Sequence, residues 1–291
     1  MDLELFKDKI LAAAFDDADK QRDIEALIKE YFIGKPIPMI PISPQYLGRC
    51  RYNRDSKIFK NVSELSYNPK IEEIYLQRCN YAGQQIFYGA LPTKSKNASL
   101  LSTAVVEVCM EYIKQDDLNE HMLTLSRWQI QRPLNIFILP YSKESHLQNE
   151  DFKELKDQYD AVLANINKDG GTKGENFIKA LEFISDIFCT TEDKEKYYKI
   201  SAAFFNFYMN AATMQNVQID GLVYPSANTE AAGINIALKK EIIDNEDLYC
   251  DKTIMYKGRR LYDKPRHFYF EGASNEIDVN GNKDFQFILT N

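Results

Sequence analysis

At 291 residues, with 44% apolar and 27% charged side chains, the chain has the composition of a globular protein with a sizeable core, which excludes disordered and fibrous classes. A formal net charge of −7 excludes a general nucleic-acid binder, which needs a basic face, but leaves room for a local basic pocket. No apolar run is long enough to span a bilayer and no charged-then-apolar leader opens the chain. Cys50, Cys79, Cys109, Cys189 and Cys250 are scattered without a CxxC pair, so a soluble cytoplasmic protein with reduced thiols is expected.

Leu3, Phe6, Ile10 and Ala14 recur at helical spacing, as do Ile24, Leu27, Ile28 and Tyr31, and predict two helices between residues 2 and 31. The prolines from Pro36 to Pro44 then forbid helix and favour an extended connector. A boundary falls there, between an N-terminal helical extension (1–40) and a main domain (41–245). Tyr46–Tyr52 reads as a strand that places Leu47, Arg49 and Arg51 on one face. Residues 53–76 are polar and irregular.

The segment from Gln77 to Tyr112 organises the rest. It reads as a polar turn with Arg78 and Asn80, a short strand through Ile86, Phe87 and Tyr88, a linker, and a helix. In that helix Leu101, Ala104, Val105, Val108, Cys109 and Tyr112 form one buried stripe. Glu107 lies about 60° beyond the edge of the stripe, where it can overhang whatever the strand and turn enclose. A solvated helix glutamate would occupy the same position.

Leu134–Pro140 predicts a buried strand stopped by proline. Phe152, Leu155, Tyr159, Val162 and Ile166 predict a helix ending before a loop, NKDGGTKG; Phe177, Leu181, Ile184 and Phe188 predict another. Tyr197–Met214 is a third, whose Phe204, Phe205, Phe207 and Tyr208 belong to the core. Ile219–Ala227 and Gly233–Leu238 predict the strands of a hairpin, and TIMYKGRRLY, RHFYFEG and DFQFILT predict a C-terminal β extension (246–291) packed on the main domain.

Familiar catalytic signatures do not account for the polar residues. His121, His146 and His267 have no partner at metal-ligand spacing, so no metal is expected. There is no GxSxG elbow, and KDGGTKG lacks the strand-then-helix order of a phosphate loop.

Four segments in order, LGRCR, QRCNYAGQQIFYGA, STAVVEV and DGLVYPSANTEAAGINIAL, resemble the RES domain, named for its arginine, glutamate and serine. The resemblance spans residues 46–245. It implies an α+β fold whose core is an ADP-ribosyltransferase-like split β-sheet with flanking helices. It also implies an enzyme that consumes NAD+ by hydrolysis or phosphorolysis of the nicotinamide–ribose bond, as the toxin of a toxin–antitoxin pair. Residue by residue it points to Arg49 or Arg51 for the first arginine, Arg78 and Asn80 for the turn, Tyr88 for the strand aromatic, Glu107 for the glutamate and Ser226 for the serine. Gln77 stands where the family has glycine, Tyr81 where it has proline, Gly89-Ala90 for Leu-Ala, and Asn228 where arginine commonly follows YPSA.

These residue types suit that chemistry. A pyrophosphate calls for guanidinium forks, here Arg51 and Arg78 with Arg49. Nicotinamide leaves as a neutral base, so no general acid is needed, while a carboxylate such as Glu107 can stabilise the cationic ribose. Ser226 could orient Glu107 or bond a ribose hydroxyl, Tyr88 could stack on nicotinamide or bond through its hydroxyl, and Asn80 and Asn235 are further candidates. Each has a plainer reading: an arginine bonding loop carbonyls, a core tyrosine, a turn serine or a turn asparagine. Transfer of ADP-ribose to a macromolecule is an alternative, weakened because Val105 stands where protein-modifying relatives often carry a second acidic or amide residue. A non-catalytic NAD-binding module is another.

Overall fold

The computed structural model describes residues 1–16, 18–93, 103–105, 107, 120–139, 150–170, 172–214, 217–229, 233–261, 264–280 and 283–290. The fold is α+β, built on a ten-stranded mixed sheet.

Helix α1 (Leu3–Phe15) starts at Asp2, whose carboxylate accepts from the Leu5 N–H at 2.8 Å, an N-cap that satisfies one of the orphan donors of the first turn. It buries Leu3, Phe6, Ile10 and Ala14. Helix α2 (Gln21–Phe32) buries Ile24, Ile28, Tyr31 and Phe32. Both stripes meet α5 (Lys194–Met214), and the contact is aromatic: Phe32 lies 5.3 Å from Phe204 and 5.8 Å from Tyr208, ring to ring. Edge-on geometry suits the ring quadrupoles. Residues 1–40 therefore share one apolar cluster with residues 134–139 and 177–209.

The proline-rich connector carries β1 (Met39–Ile42), which among the described strands pairs with β5 (Leu134–Ile138) alone and so lies at the sheet edge, where Pro41 costs little. The remaining strands are β2 (Tyr46–Tyr52), β3 (Ile86–Leu91), β4 (Glu120–Ile130), β6 (Gly221–Pro225), β7 (Ile234–Lys239), β8 (Leu248–Leu261), β9 (Lys264–Gly272) and β10 (Ile277–Asp278). Their order is β1-β5-β6-β7-β3-β2-β4-β8-β10, with β9 paired on β8. Among the described strands only β5 and β6 run parallel, and the chain between them holds α3 (Glu150–Gly170), α4 (Thr172–Cys189) and α5. The β6–β7 hairpin is antiparallel, Gly221 facing Leu238 through Pro225 facing Ile234.

Two features differ from the sequence-based expectation. The loop NKDGGTKG is largely absorbed into helix, since α3 runs to Gly170 and α4 begins at Thr172. Strand β4, to which no element was assigned, pairs on one side with β2 and on the other with β8. The C-terminal segment is thus continuous with the sheet through β8. Of the stripe proposed for the Glu107 helix, Ala104 and Val105 are helical and buried, while Leu101, Val108, Cys109 and Tyr112 lie outside the described residues.

The sheet has a seam. Strands β2 and β3 register at one pair, Gly48 with Ala90. Continuing that register would set Cys50 opposite Tyr88. Instead the Arg49 guanidinium donates to the Tyr88 carbonyl, and its Nε donates to the Leu65 carbonyl at 3.0 Å. The Arg49 side chain also rests 5.0 Å from the centre of the Phe87 ring. No helix among the described residues is long and apolar enough to cross a membrane.

Candidate functional site

Residues 103–105 and 107 are helical and sit over the seam. Ala104 and Val105 bury against Cys50, Ala90 and Leu123 in a small cluster separate from the main core. The small side chain of Ala90 leaves room for the helix to approach. On the other flank Thr103 is fully buried, and a Cβ built on Gly233 would lie 2.4 Å from its hydroxyl oxygen. The loop entering β7 can close against this helix only with glycine at that position. Seated this way, the helix delivers Glu107 to the end of the β6–β7 hairpin.

There three neutral groups converge on one carboxylate. The Ser226 hydroxyl donates to Glu107 Oε1, Asn235 Nδ2 donates to the same oxygen at 3.0 Å, and Asn228 Nδ2 donates to Oε2 at 2.9 Å. Ser226 is itself fixed, fully buried, with its N–H on the Gly233 carbonyl at 2.9 Å. Tyr224, Asn235 and Ala90 form one row across β6, β7 and β3, and hence share a face of the sheet.

Arg78 reaches the same place from the turn before β3. Only 6% exposed, it donates to the Phe188 carbonyl and, at 3.0 Å, to the Thr190 carbonyl, so the C-terminal end of α4 holds it. Its guanidinium lies 5.2 Å from the centre of the Tyr198 ring. Burial alone would lower its pKa, but Tyr198, Tyr224 and Glu107 outweigh that and hold it above its ordinary value. Burial, then Cys79 and Glu107, drives the Tyr224 hydroxyl well above the usual tyrosine range. Burial, only partly offset by the charge of Arg78, pushes the Cys189 thiol up to about 12, so it is no nucleophile at neutral pH.

The other candidates brace this group. The Tyr88 hydroxyl accepts from the Cys79 N–H at 2.9 Å and donates to Asn80 Oδ1 at 2.8 Å, which ties β3 to the Arg78 turn. Asn80 spends its amide N–H groups on the carbonyls of Tyr75 and Tyr81, within its own turn. Arg49 is occupied at the seam; burial, then the charge of Arg51, pushes it down to about 9, still cationic at neutral pH. Arg51 Nη1 donates to the Ser66 carbonyl at 3.2 Å.

The structure therefore brings together Glu107, Ser226 and Arg78, with Tyr88 and Asn80 behind Arg78, while Arg49 and Arg51 contact the loop at Leu65 and Ser66. Asn235 joins the group, as do Asn228 and Tyr224, which were not among the candidates. Asn235 had a legible signal: it is the lone polar residue in the run Ile234–Leu238, all buried. Two surface hollows, of about 550 and 640 Å³, are lined by residues other than Glu107. No family model matches this chain, and no curated protein matches it either.

Proposed function

We propose that this protein is an NAD+-consuming enzyme with an ADP-ribosyltransferase-like fold, a glycohydrolase or phosphorylase that cleaves the nicotinamide–ribose bond. The observation that carries the reading is the Glu107 carboxylate, oriented by Ser226, Asn228 and Asn235 and facing the charge of buried Arg78. The one-pair seam between the sheet halves supports the split-sheet assignment.

In this reading the C–N bond to nicotinamide breaks and its electron pair leaves with the ring, which departs uncharged. The positive charge left on the ribose falls to Glu107, either directly or through a ribose hydroxyl that it holds. Water or phosphate then forms the new bond at the anomeric carbon, and water loses a proton in doing so. Ser226 and the two asparagines fix the carboxylate in one orientation, so no reorganisation is needed as charge develops. Arg51 and Arg78 are the guanidinium donors for the pyrophosphate, with Arg49 bracing the strand that carries Arg51. Tyr88 and Asn80 hold the Arg78 turn in place. Paired with a cognate antitoxin, such an activity would serve as a toxin.

The test is nicotinamide release from NAD+ by the intact protein, with and without phosphate, followed by chromatography that separates ADP-ribose from its 1″-phosphate. Glu107→Ala should abolish release and keep the fold. If the wild-type protein leaves NAD+ unchanged under both conditions, the reading is lost.

One observation favours a second reading, a non-catalytic NAD-binding module. Both Glu107 oxygens already accept hydrogen bonds from neutral side chains of the fold. Calorimetry showing NAD+ binding without turnover would select it. ADP-ribosyl transfer to a macromolecule ranks lower, because Val105, two residues before Glu107, is buried against Cys50, Ala90 and Leu123 and supplies no second polar group.

A further inference from the structure

The hollow of about 550 Å³ is lined by residues of α2 and α5, by Gly34, Lys35 and Ile37 of the segment after α2, and by Tyr81. Its size falls in the range of small-molecule sites, and its character matches them: an apolar lining with a few polar groups. Phe32, Ile37, Phe207 and Tyr208 supply the apolar part.

Its polar groups are unequal. Burial, then the nearby Glu25 carboxylate, drives the pKa of the Tyr81 hydroxyl up. Asn206 is exchanged with Gln84, each amide donating to the other at 3.0 and 2.7 Å. Lys35 is different. Its ammonium stands 3.3 Å from the centre of the Tyr31 ring and within 6 Å of the Phe32 and Phe177 rings. Among the described residues it makes no ion pair. A cation set on aromatic faces keeps its charge but has lost water without gaining an anion. Burial accordingly pushes its pKa down to about 8. Lys29 also lines the hollow, but it is exposed, whereas Lys35 is the half-buried cation seated on aromatic faces, a specific feature in a chain of net charge −7.

We propose that this hollow binds a small monocarboxylate with an aromatic or aliphatic body, its carboxylate on Lys35 and its apolar part against Phe32, Ile37 and Phe207. The anion supplies the counter-charge that the fold withholds from Lys35. The apolar body replaces water on surfaces that gain nothing from it. The site is separate from Glu107, and its occupancy does not depend on NAD+ cleavage.

The test uses the intact protein with two probes of equal shape, 4-phenylbutyrate and 4-phenylbutan-1-ol, titrated by isothermal calorimetry or ligand-observed NMR. Saturable one-to-one binding of the acid is expected, with the alcohol at least about tenfold weaker, a difference of roughly 1.4 kcal/mol. Lys35→Gln should weaken the acid by about the same factor and leave the alcohol unchanged. Ala211→Trp, on the partly exposed rim of the hollow, should block both probes while Lys35 remains. Equal affinity for acid and alcohol, undiminished binding in either variant, or no binding to the wild-type protein would overturn the proposal. Thermal melting of each variant separates a lost site from a lost fold.

Discussion

Asn235 sits in a buried strand and gives its amide to Glu107, so its removal should strand an acceptor. Asn235→Ala is expected to cost about 1–3 kcal/mol in urea denaturation, the penalty of leaving a buried polar group unmatched. Its effect on nicotinamide release should be smaller than that of Glu107→Ala, since Ser226 and Asn228 still hold the carboxylate. Equal losses would mean that the three donors act as one unit. At this scale the sequence was informative about residue type and less so about partnership. Glu107, Ser226 and Arg78 could be picked out because polar residues at strand ends and helix flanks are exceptional. That Arg49 bonds two main-chain carbonyls depends on how β2 and β3 diverge, which no local pattern records.

The helix bearing Glu107 is placed by a contact between Thr103 and the loop before β7. Adding a single methyl group at Gly233→Ala would drive a Cβ to 2.4 Å from the Thr103 hydroxyl oxygen, so the helix or the loop must move. We expect a loss of about 1–3 kcal/mol from overpacking. Nicotinamide release should fall with it, because Glu107 rides on the displaced element. Thr103→Ala in the same chain should restore part of both, and a double-mutant cycle reads the coupling. Elements with a clean apolar period were legible: α1, α2, α4, α5 and the β6–β7 hairpin all follow their stripes or alternation. Strand β4 was not, because His121, Thr124 and Ser126 occupy buried positions and break the apolar alternation. The NKDGGTKG segment misled in the opposite direction. Its glycines signal a break, yet helices continue on both sides of Gly171, local propensity being a weak prior beside tertiary packing.

Two charge clusters lock the sheet at the scale of the whole molecule. Arg132 bridges Asp220, at 2.7 Å, and Asp247, at 2.9 Å, joining the β4–β5 turn to the segments before β6 and β8. Arg127 meets Asp251 at 2.6 Å across β4 and β8. Burial would raise the carboxyls of Asp220 and Asp251, but Arg132 and Arg127 outweigh it and hold both below the ordinary value. A carboxyl with a lower pKa in the folded than in the unfolded chain adds stability that is complete above the unfolded value, about 3.9, and disappears as pH falls through the folded one. The urea midpoint should therefore decline below about pH 4. Asp220→Asn should start lower at neutral pH and show a shallower decline; an unchanged slope would remove Asp220 from the account. The seam offers a complementary test. Arg49→Ala leaves the Leu65 and Tyr88 carbonyls without that donor and should cost about 2–4 kcal/mol, with faster amide exchange in β2 and β3 than in β4 and β8.

The aromatic contacts of α1 and α2 join parts of the chain that are made far apart in time. The Tyr31 hydroxyl bonds the carbonyl of Asn176, 145 residues later, and Gln21 bonds that of Lys199, 178 residues later. A ribosome working at about 20 residues per second needs roughly nine seconds to supply the second partner, and longer when slower. Through that interval Phe6 has Tyr31 and Phe32 to pack on, but Phe32 lacks its partners Phe177, Phe204 and Tyr208. The newborn chain must carry two greasy amphipathic segments unprotected until its C-terminal half emerges, which makes this N-terminus the place where a nascent-chain chaperone would be needed most.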